Sequence, residues 1–250
     1  MRYNTAKQKM FDGKPAIGGA ACMGSPLAAE ILAKGGVDYV LVDDQHGIWQ
    51  PDSMLAAFRS ILVAGSVPMA RVGKNDFYHI GAMLDRGALG IVVPMVHTEK
   101  DAEAAAYAMR YQPSGNRSIG AYGSVMYGNE YMDCANEETF LAVQIESKQG
   151  LDNVEKIMAV DGVDGCWIGP ADLAASMGLD LSKPAGKEAH EEAILHIMRV
   201  CKAAGKIPGI ACLGLGDLRI RQGFLFVTPL SDYPVDVRAT LADLREIPVP

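Results

Sequence analysis

The sequence predicts a single closed (β/α)8 barrel of the TIM type, on three observations. Eight short apolar runs recur along the chain, each separated from the next by a longer stretch, most with helical periodicity. The runs are apolar almost throughout rather than alternating, as parallel strands covered on both faces require. The length of 250 residues suits one barrel better than two smaller domains. An open doubly wound sheet is the competing architecture, but no glycine-rich dinucleotide loop follows the first run.

In chain order the runs fall at 16–20 (AIGGA), 39–42 (YVLV), 67–71 (VPMAR), 90–94 (GIVVP), 140–145 (FLAVQI), 165–168 (GCWI), 207–211 (IPGIA) and 224–227 (FLFV). Between them, the segments 26–34, 51–63, 76–86, 99–110, 150–158 and 187–204 place apolar residues at helical spacing. One stretch breaks the rhythm. Residues 111–139 are rich in Gly, Asn, Ser and Tyr and read as a long loop, of the kind that serves as a lid or an interface segment.

Hydrophobic residues make up 49% and charged residues 21% of the chain, ordinary values for a globular protein with a sizeable core. The net charge is −7 and Lys and Arg are scattered, which argues against a nucleic-acid surface. Five cysteines without CxxC pairing read as reduced thiols. The N-terminus carries no apolar signal stretch, and no apolar run reaches the length of a membrane span. The expectation is a soluble, cytoplasmic protein.

Active sites of such barrels form where strands end, so the residues that follow each run matter most. The second run leads into Asp43-Asp44-Gln45-His46-Gly47, the third ends at Arg71, the fifth at Glu146, and the sixth runs into Gly169-Pro170-Ala171-Asp172. Polar groups from several strands thus converge on one rim. Glu146 and Asp172, on neighbouring strand ends, make an oxygen-donor pair for a hard divalent cation, although Asp172 could equally be a helix cap. His46 is the leading acid/base, with Asp43 and Asp85 as candidate orienters and His97 as an outside candidate. His190 and His196 read as surface residues. Arg71 suits either a substrate oxyanion or an ion pair with a neighbouring acid. The Gly169–Asp172 turn should open a short helix whose free N–H groups suit a carboxylate.

The strings VDDQHG, PMARVGKND, RYQPSGNRSIG, LAVQIESKQGLDNVEKI and VDGCWIGPADLAASMG resemble the HpcH/HpaI aldolase family, in order over nearly the whole chain. Its members are class II, metal-dependent pyruvate aldolases related to 4-hydroxy-2-oxoheptanedioate aldolase. The resemblance implies a carbon–carbon lyase that joins pyruvate or hydroxypyruvate to an aldehyde, with Mg2+, Mn2+ or Co2+ as cofactor. It assigns Glu146 and Asp172 to the metal, Arg71 to the keto oxygen, and His46 with Asp85 to the proton relay. Gln144, Gly169, Pro170, Ala171 and Asp172 are assigned to the substrate pocket. It also implies a homohexamer with an exchanged C-terminal helix and sites completed by a neighbouring subunit.

Two departures bear on specificity. Gln45 stands where many members carry an acid, and the last strand ends FVTPLSDYP where many relatives have a Val-Gly ending, so Pro229 and Leu230 should reshape the pocket rim. A CoA-thioester lyase of the citrate-lyase β type and a non-catalytic barrel are the rival readings. The first lacks the basic cluster that CoA phosphates need. The second must explain why each transferred position apart from Gln45 still holds a chemically competent residue.

Overall fold

The computed structural model describes residues 3–120 and 122–232. Eight parallel strands close in sequence order into a barrel: β1 (Ala16–Ala21), β2 (Tyr39–Asp43), β3 (Val67–Arg71), β4 (Gly90–Val93), β5 (Phe140–Ile145), β6 (Gly165–Ile168), β7 (Ile207–Ala211) and β8 (Phe226–Ser231). The helices are α1 (Thr5–Phe11), α2 (Pro26–Lys34), α3 (Pro51–Val63), α4 (Phe77–Asp85), α5 (Glu99–Met109), α6 (Tyr122–Tyr127), α7 (Tyr131–Glu138), α8 (Lys148–Asp152), α9 (Val154–Met158), α10 (Pro170–Ser176), α11 (Pro184–Ala203) and α12 (Gly216–Gln222). The expected exchanged C-terminal helix lies outside the described residues.

The strands separate two cores. Val40, Val42, Ala70, Ile91, Val143 and Ile210 point outward and pack under helix residues such as Phe58, Ile61, Met83 and Ile194. Tyr39, Leu41, Met69, Val92, Phe140, Ala142, Trp167 and Phe226 pack together inside the barrel. Because side chains alternate across a strand, each inward series ends two residues later at the mouth. That rule carries Leu41 to Asp43, Met69 to Arg71, Ala142 to Gln144, Trp167 to Gly169 and Phe226 to Thr228. The functional rim is therefore the top layer of the barrel's own packing.

Large rings fill the interior because small residues face them. Tyr39 and Phe226 lie with ring centroids 4.7 Å apart, and Phe226 meets Phe140 at 5.2 Å. A Cβ on Gly18 would sit 2.2 Å from a ring carbon of Tyr39, so only glycine lets that ring occupy the barrel.

The last strand departs from expectation. It runs to Ser231 rather than ending at 227, and its register with β1 slips between Ile17 and Gly19. There β8 carries one residue more than β1. Pro229, which has no N–H to donate, sits at this irregularity, where a proline is tolerated. The apolar pattern ends before the bulge, so it marked only the front of the strand.

The segment 111–139 also differs from the expected loop, because it contains α6 and α7. Tyr127 and Tyr131 stack at 5.5 Å, and Tyr131 and Ala135 are buried in the same interior core as Ala6 and Met10 of α1. Tyr127 donates to the carbonyl of Gly87 just before β4, and Arg110 pairs with Asp164 just before β6 at 2.7 Å. All these partners lie where strands begin, so the segment closes the base of the barrel and is not a lid over its mouth.

Gly18→Val should force the Tyr39 ring out of its place and cost about 1–3 kcal/mol or more, as overpacking does. A lowered denaturant midpoint with an unchanged slope would show it, and an unchanged midpoint would refute the packing argument.

Candidate active site

A cavity of about 210 Å3 opens at the carboxyl ends of the strands. This is smaller than the roughly 300–1,000 Å3 of sites for drug-sized ligands and suits small metabolites. Asp43, His46, Arg71, Gln144, Gly169, Pro170, Ala171 and Asp172 all line it.

Arg71 and Asp43 are register partners on neighbouring strands and point into the mouth together. Nε of Arg71 donates to Oδ1 of Asp43 at 2.9 Å, and Nη2 donates to Oδ2, a two-point grip in a buried setting. The guanidinium also lies over the Trp167 ring, 5.2 Å from its centroid. Trp167 is fixed in turn: its Nε1 donates to Thr228 Oγ1 at 3.0 Å, and that hydroxyl also bonds Tyr39 Oη at 2.8 Å. Arg71 is therefore both ion-paired and part of the cavity lining. Asp43 thereby orients Arg71. Its Oδ1 also accepts from the backbone N–H groups of Gln45 and His46, at 3.1 and 3.3 Å, which shapes the loop that carries His46.

Glu146 is held by unusual backbone. Met95 adopts φ +56, a left-handed conformation that costs a residue with a side chain, and its N–H donates to Glu146 Oε1 at 2.8 Å. The Gln144 amide donates to Glu146 Oε2. Burial pushes the Glu146 carboxyl above its ordinary value, and the nearby Asp172 charge adds to this, against the bond from Met95 and the Arg71 charge. A Cβ on Gly169 would sit 2.7 Å from Glu146 Oε2, so glycine keeps the space beside that carboxylate clear.

These residues fit a hard divalent cation. The donors are carboxylate oxygens, and burial with a like charge nearby creates a demand for a positive partner. Among the described residues, Gln144 Oε1 is also buried without a hydrogen-bond partner. Among the described residues no group of three or more His, Cys, Asp and Glu side chains is arranged to hold a metal, so a shell based on Glu146 and Asp172 needs water and substrate oxygens to complete it.

Other expectations change. Asp85 does not line the cavity. It ends α4, which descends from the mouth to the base, and there it pairs with Arg117 at 3.0 Å. His97 is engaged with Ser147 Oγ at 2.7 Å, and its carbonyl accepts from Asn153. His190, read as a surface residue, places Nε2 2.8 Å from the carbonyl of Pro170 and so braces the turn leading to Asp172. Among the described residues, Gln45 leaves its side-chain carbonyl oxygen buried without a hydrogen-bond partner. Met95 and Trp167 escaped the sequence reading, since a turn methionine and a strand tryptophan look like packing residues.

Asp43→Ala would strand a buried guanidinium, for which a loss of about 3–5 kcal/mol is expected. Urea unfolding measures it, and a loss below about 1 kcal/mol, the scale of an exposed pair, would show that the ion pair does not organise the mouth.

The sequence profile of the HpcH/HpaI aldolase/citrate lyase family matches residues 22–215. A hydroxypyruvate/pyruvate aldolase of Rhizorhabdus wittichii is 35% identical over 242 residues, covering 94% of this chain and 96% of its own. A 4-hydroxy-2-oxo-heptane-1,7-dioate aldolase of Salmonella typhimurium is 36% identical over 232 residues, covering 90% and 87%. The solved structure of an HpcH/HpaI aldolase/citrate lyase family protein from Burkholderia cenocepacia J2315 superposes with a TM-score of 0.86 at 32% identity, covering 97% of this chain and 98% of that one. With its barrel closed in the same way and the match running through β2 to β7, this chain belongs to the HpcH/HpaI aldolase/citrate lyase family.

Proposed function

We propose that this chain is a divalent-metal-dependent aldolase that joins a small 2-oxo acid, pyruvate or hydroxypyruvate, to an aldehyde and runs the reverse cleavage. It is a carbon–carbon lyase, as its family and its aldolase-named relatives support. One observation carries the reading: an anchored guanidinium shares a single small cavity with Asp172, and Glu146 lies buried just behind Gln144 and Gly169.

A divalent cation such as Mg2+, Mn2+ or Co2+, held by Glu146 and Asp172, would supply Lewis acidity toward the carboxylate and keto oxygens of the 2-oxo acid. The chain's own groups do the rest. Arg71 is fixed by Asp43 and Trp167 before substrate arrives, so its remaining N–H groups meet the charge that develops on the keto oxygen without reorganising. Gln144 lines the cavity floor, and the Gly169–Asp172 turn shapes the end where the substrate carboxylate sits. His46, exposed at the rim, takes the proton from C3. The enolate carbon then attacks the aldehyde carbon, and the resulting alkoxide receives a proton back.

Asp85 lies at the base of its own barrel, so it joins the His46 relay only in the cavity of another copy. This accords with the hexamer that the family resemblance implies. The free cysteines accord with a cytoplasmic setting. Among the described residues no helix is long and apolar enough to cross a membrane.

Exchange of the C3 protons of pyruvate in deuterium oxide, followed by NMR, tests the first half of the reaction without an aldehyde. Chelation should abolish exchange and Mn2+ should restore it; full exchange after thorough chelation would remove the metal from the reaction. Arg71→Ala should slow exchange by about 10²–10³-fold while the circular dichroism stays native.

The raised Glu146 carboxyl sets a pH dependence of known sign. A cation takes the ionised form, so Mn2+ affinity measured by calorimetry should tighten as pH rises through the raised value of this carboxyl. In metal-free protein the sign reverses for stability. The contribution of protonated Glu146 is present below its ordinary value of 4.5 and is lost as pH climbs through the raised value.

A further inference from the structure

The cavity has two unlike walls. One is polar, built from Arg71, Gln144 and the Gly169–Asp172 turn at the ends of β3, β5 and β6. The other is made by β7, β8 and β1, where Leu213, Leu230, Ala211 and Cys22 face the cavity. Leu213 and Leu230 are 52% and 43% exposed, so two large apolar side chains stand open to water beside the reacting centre. Apolar surface displayed inside a binding cavity is stabilised when an apolar group of the ligand covers it.

Charge on that wall points the same way. Asp232, just past β8, accepts the backbone N–H groups of Cys22 and Met23 at 2.7 and 3.1 Å, which fixes a carboxylate beside the apolar wall. Burial, with the Asp43 and Asp232 charges adding to it, pushes the Cys22 thiol up to about 12, so it presents a neutral sulfur to the cavity. Among the described residues, Arg71 is the one Lys or Arg that lines the cavity, and Asp43 already holds it by two hydrogen bonds. A second carboxylate on an aldehyde seated against this wall would lose its water without gaining a cation from these lining residues, a costly transfer.

We propose that the aldehyde partner is a neutral aliphatic aldehyde whose hydrocarbon chain lies against Leu213 and Leu230, and that aldehydes bearing a carboxylate are rejected. This rests on the aldolase reading above and narrows it to a class of acceptor. Pro229 and Leu230 thereby set specificity: the bulge that accommodates Pro229 immediately precedes the leucine that meets the acceptor.

The test compares kcat/KM for pyruvate addition to butanal and to 4-oxobutanoate, two four-carbon aldehydes that differ in a terminal carboxylate. The protein is loaded with Mn2+, and pyruvate C3 exchange is measured alongside without aldehyde. Butanal should be preferred by about tenfold or more. Leu213→Arg and Leu230→Arg should each shift the ratio toward 4-oxobutanoate by a similar factor. Because the ratio is taken within one protein, a general loss of activity cancels. Exchange that proceeds while 4-oxobutanoate is used equally well or better overturns the acceptor assignment alone. A butanal preference that neither arginine variant moves also overturns it. Failure of exchange in the Mn2+-loaded protein overturns the aldolase reading and the acceptor assignment with it.

Discussion

The mouth of this barrel is organised by the ion pair between Arg71 and Asp43. Two charges leave water there, and neither is tolerable without the other. Its position follows from barrel geometry, because parallel register puts both residues at the same height on adjacent strands. Trp167, Thr228 and Tyr39 continue the connection downward, so the guanidinium is fastened to the packed rings of the interior rather than to a loop. Its orientation is therefore fixed by the same contacts that hold the fold together.

Glu146 shows the opposite strategy. Where Arg71 is given a counter-charge, Glu146 is buried beside another acid and given only neutral donors, from Met95 and Gln144, with the Arg71 charge as a partial offset. The carboxyl is raised as a result, and the strained backbone at Met95 persists because it supplies one of the few compensating bonds. One half of the mouth is electrostatically complete within the chain, and the other half is left in deficit. That deficit is what the cation proposed for these two acids would answer.

Much of this was legible in the chain itself. Fully covered strands give unbroken apolar runs, and seven of the eight strand positions follow from them closely. The eighth was truncated because Thr228-Pro229 ends the apolar pattern before the strand ends. Residues at strand ends, such as Arg71, Glu146 and Asp172, could be selected because their charge interrupts an apolar context. Partnerships were less accessible. Nothing in a one-dimensional pattern pairs Asp43 with Arg71 across two strands. Only the direction of α4 shows that Asp85 descends to the base. The tyrosine-rich stretch after Met109 was misread because its helices are stabilised by burying Tyr127, Tyr131 and Ala135 in the interior core that α1 also joins, a tertiary effect that overrides polar composition.

The extra residue in β8 has an evolutionary consequence. Barrel closure requires β8 to pair with β1 at its beginning, through Ala16 and Ile17, and again at its end, through Gly19 and Ala20. The unpaired slack between those two stretches absorbs length, so the residues that follow can vary in size and chemistry while the ring of strands stays shut. Substrate range can then drift at this seam without passing through unfolded intermediates, a freedom denied to the tightly registered side of the barrel where the reacting groups stand.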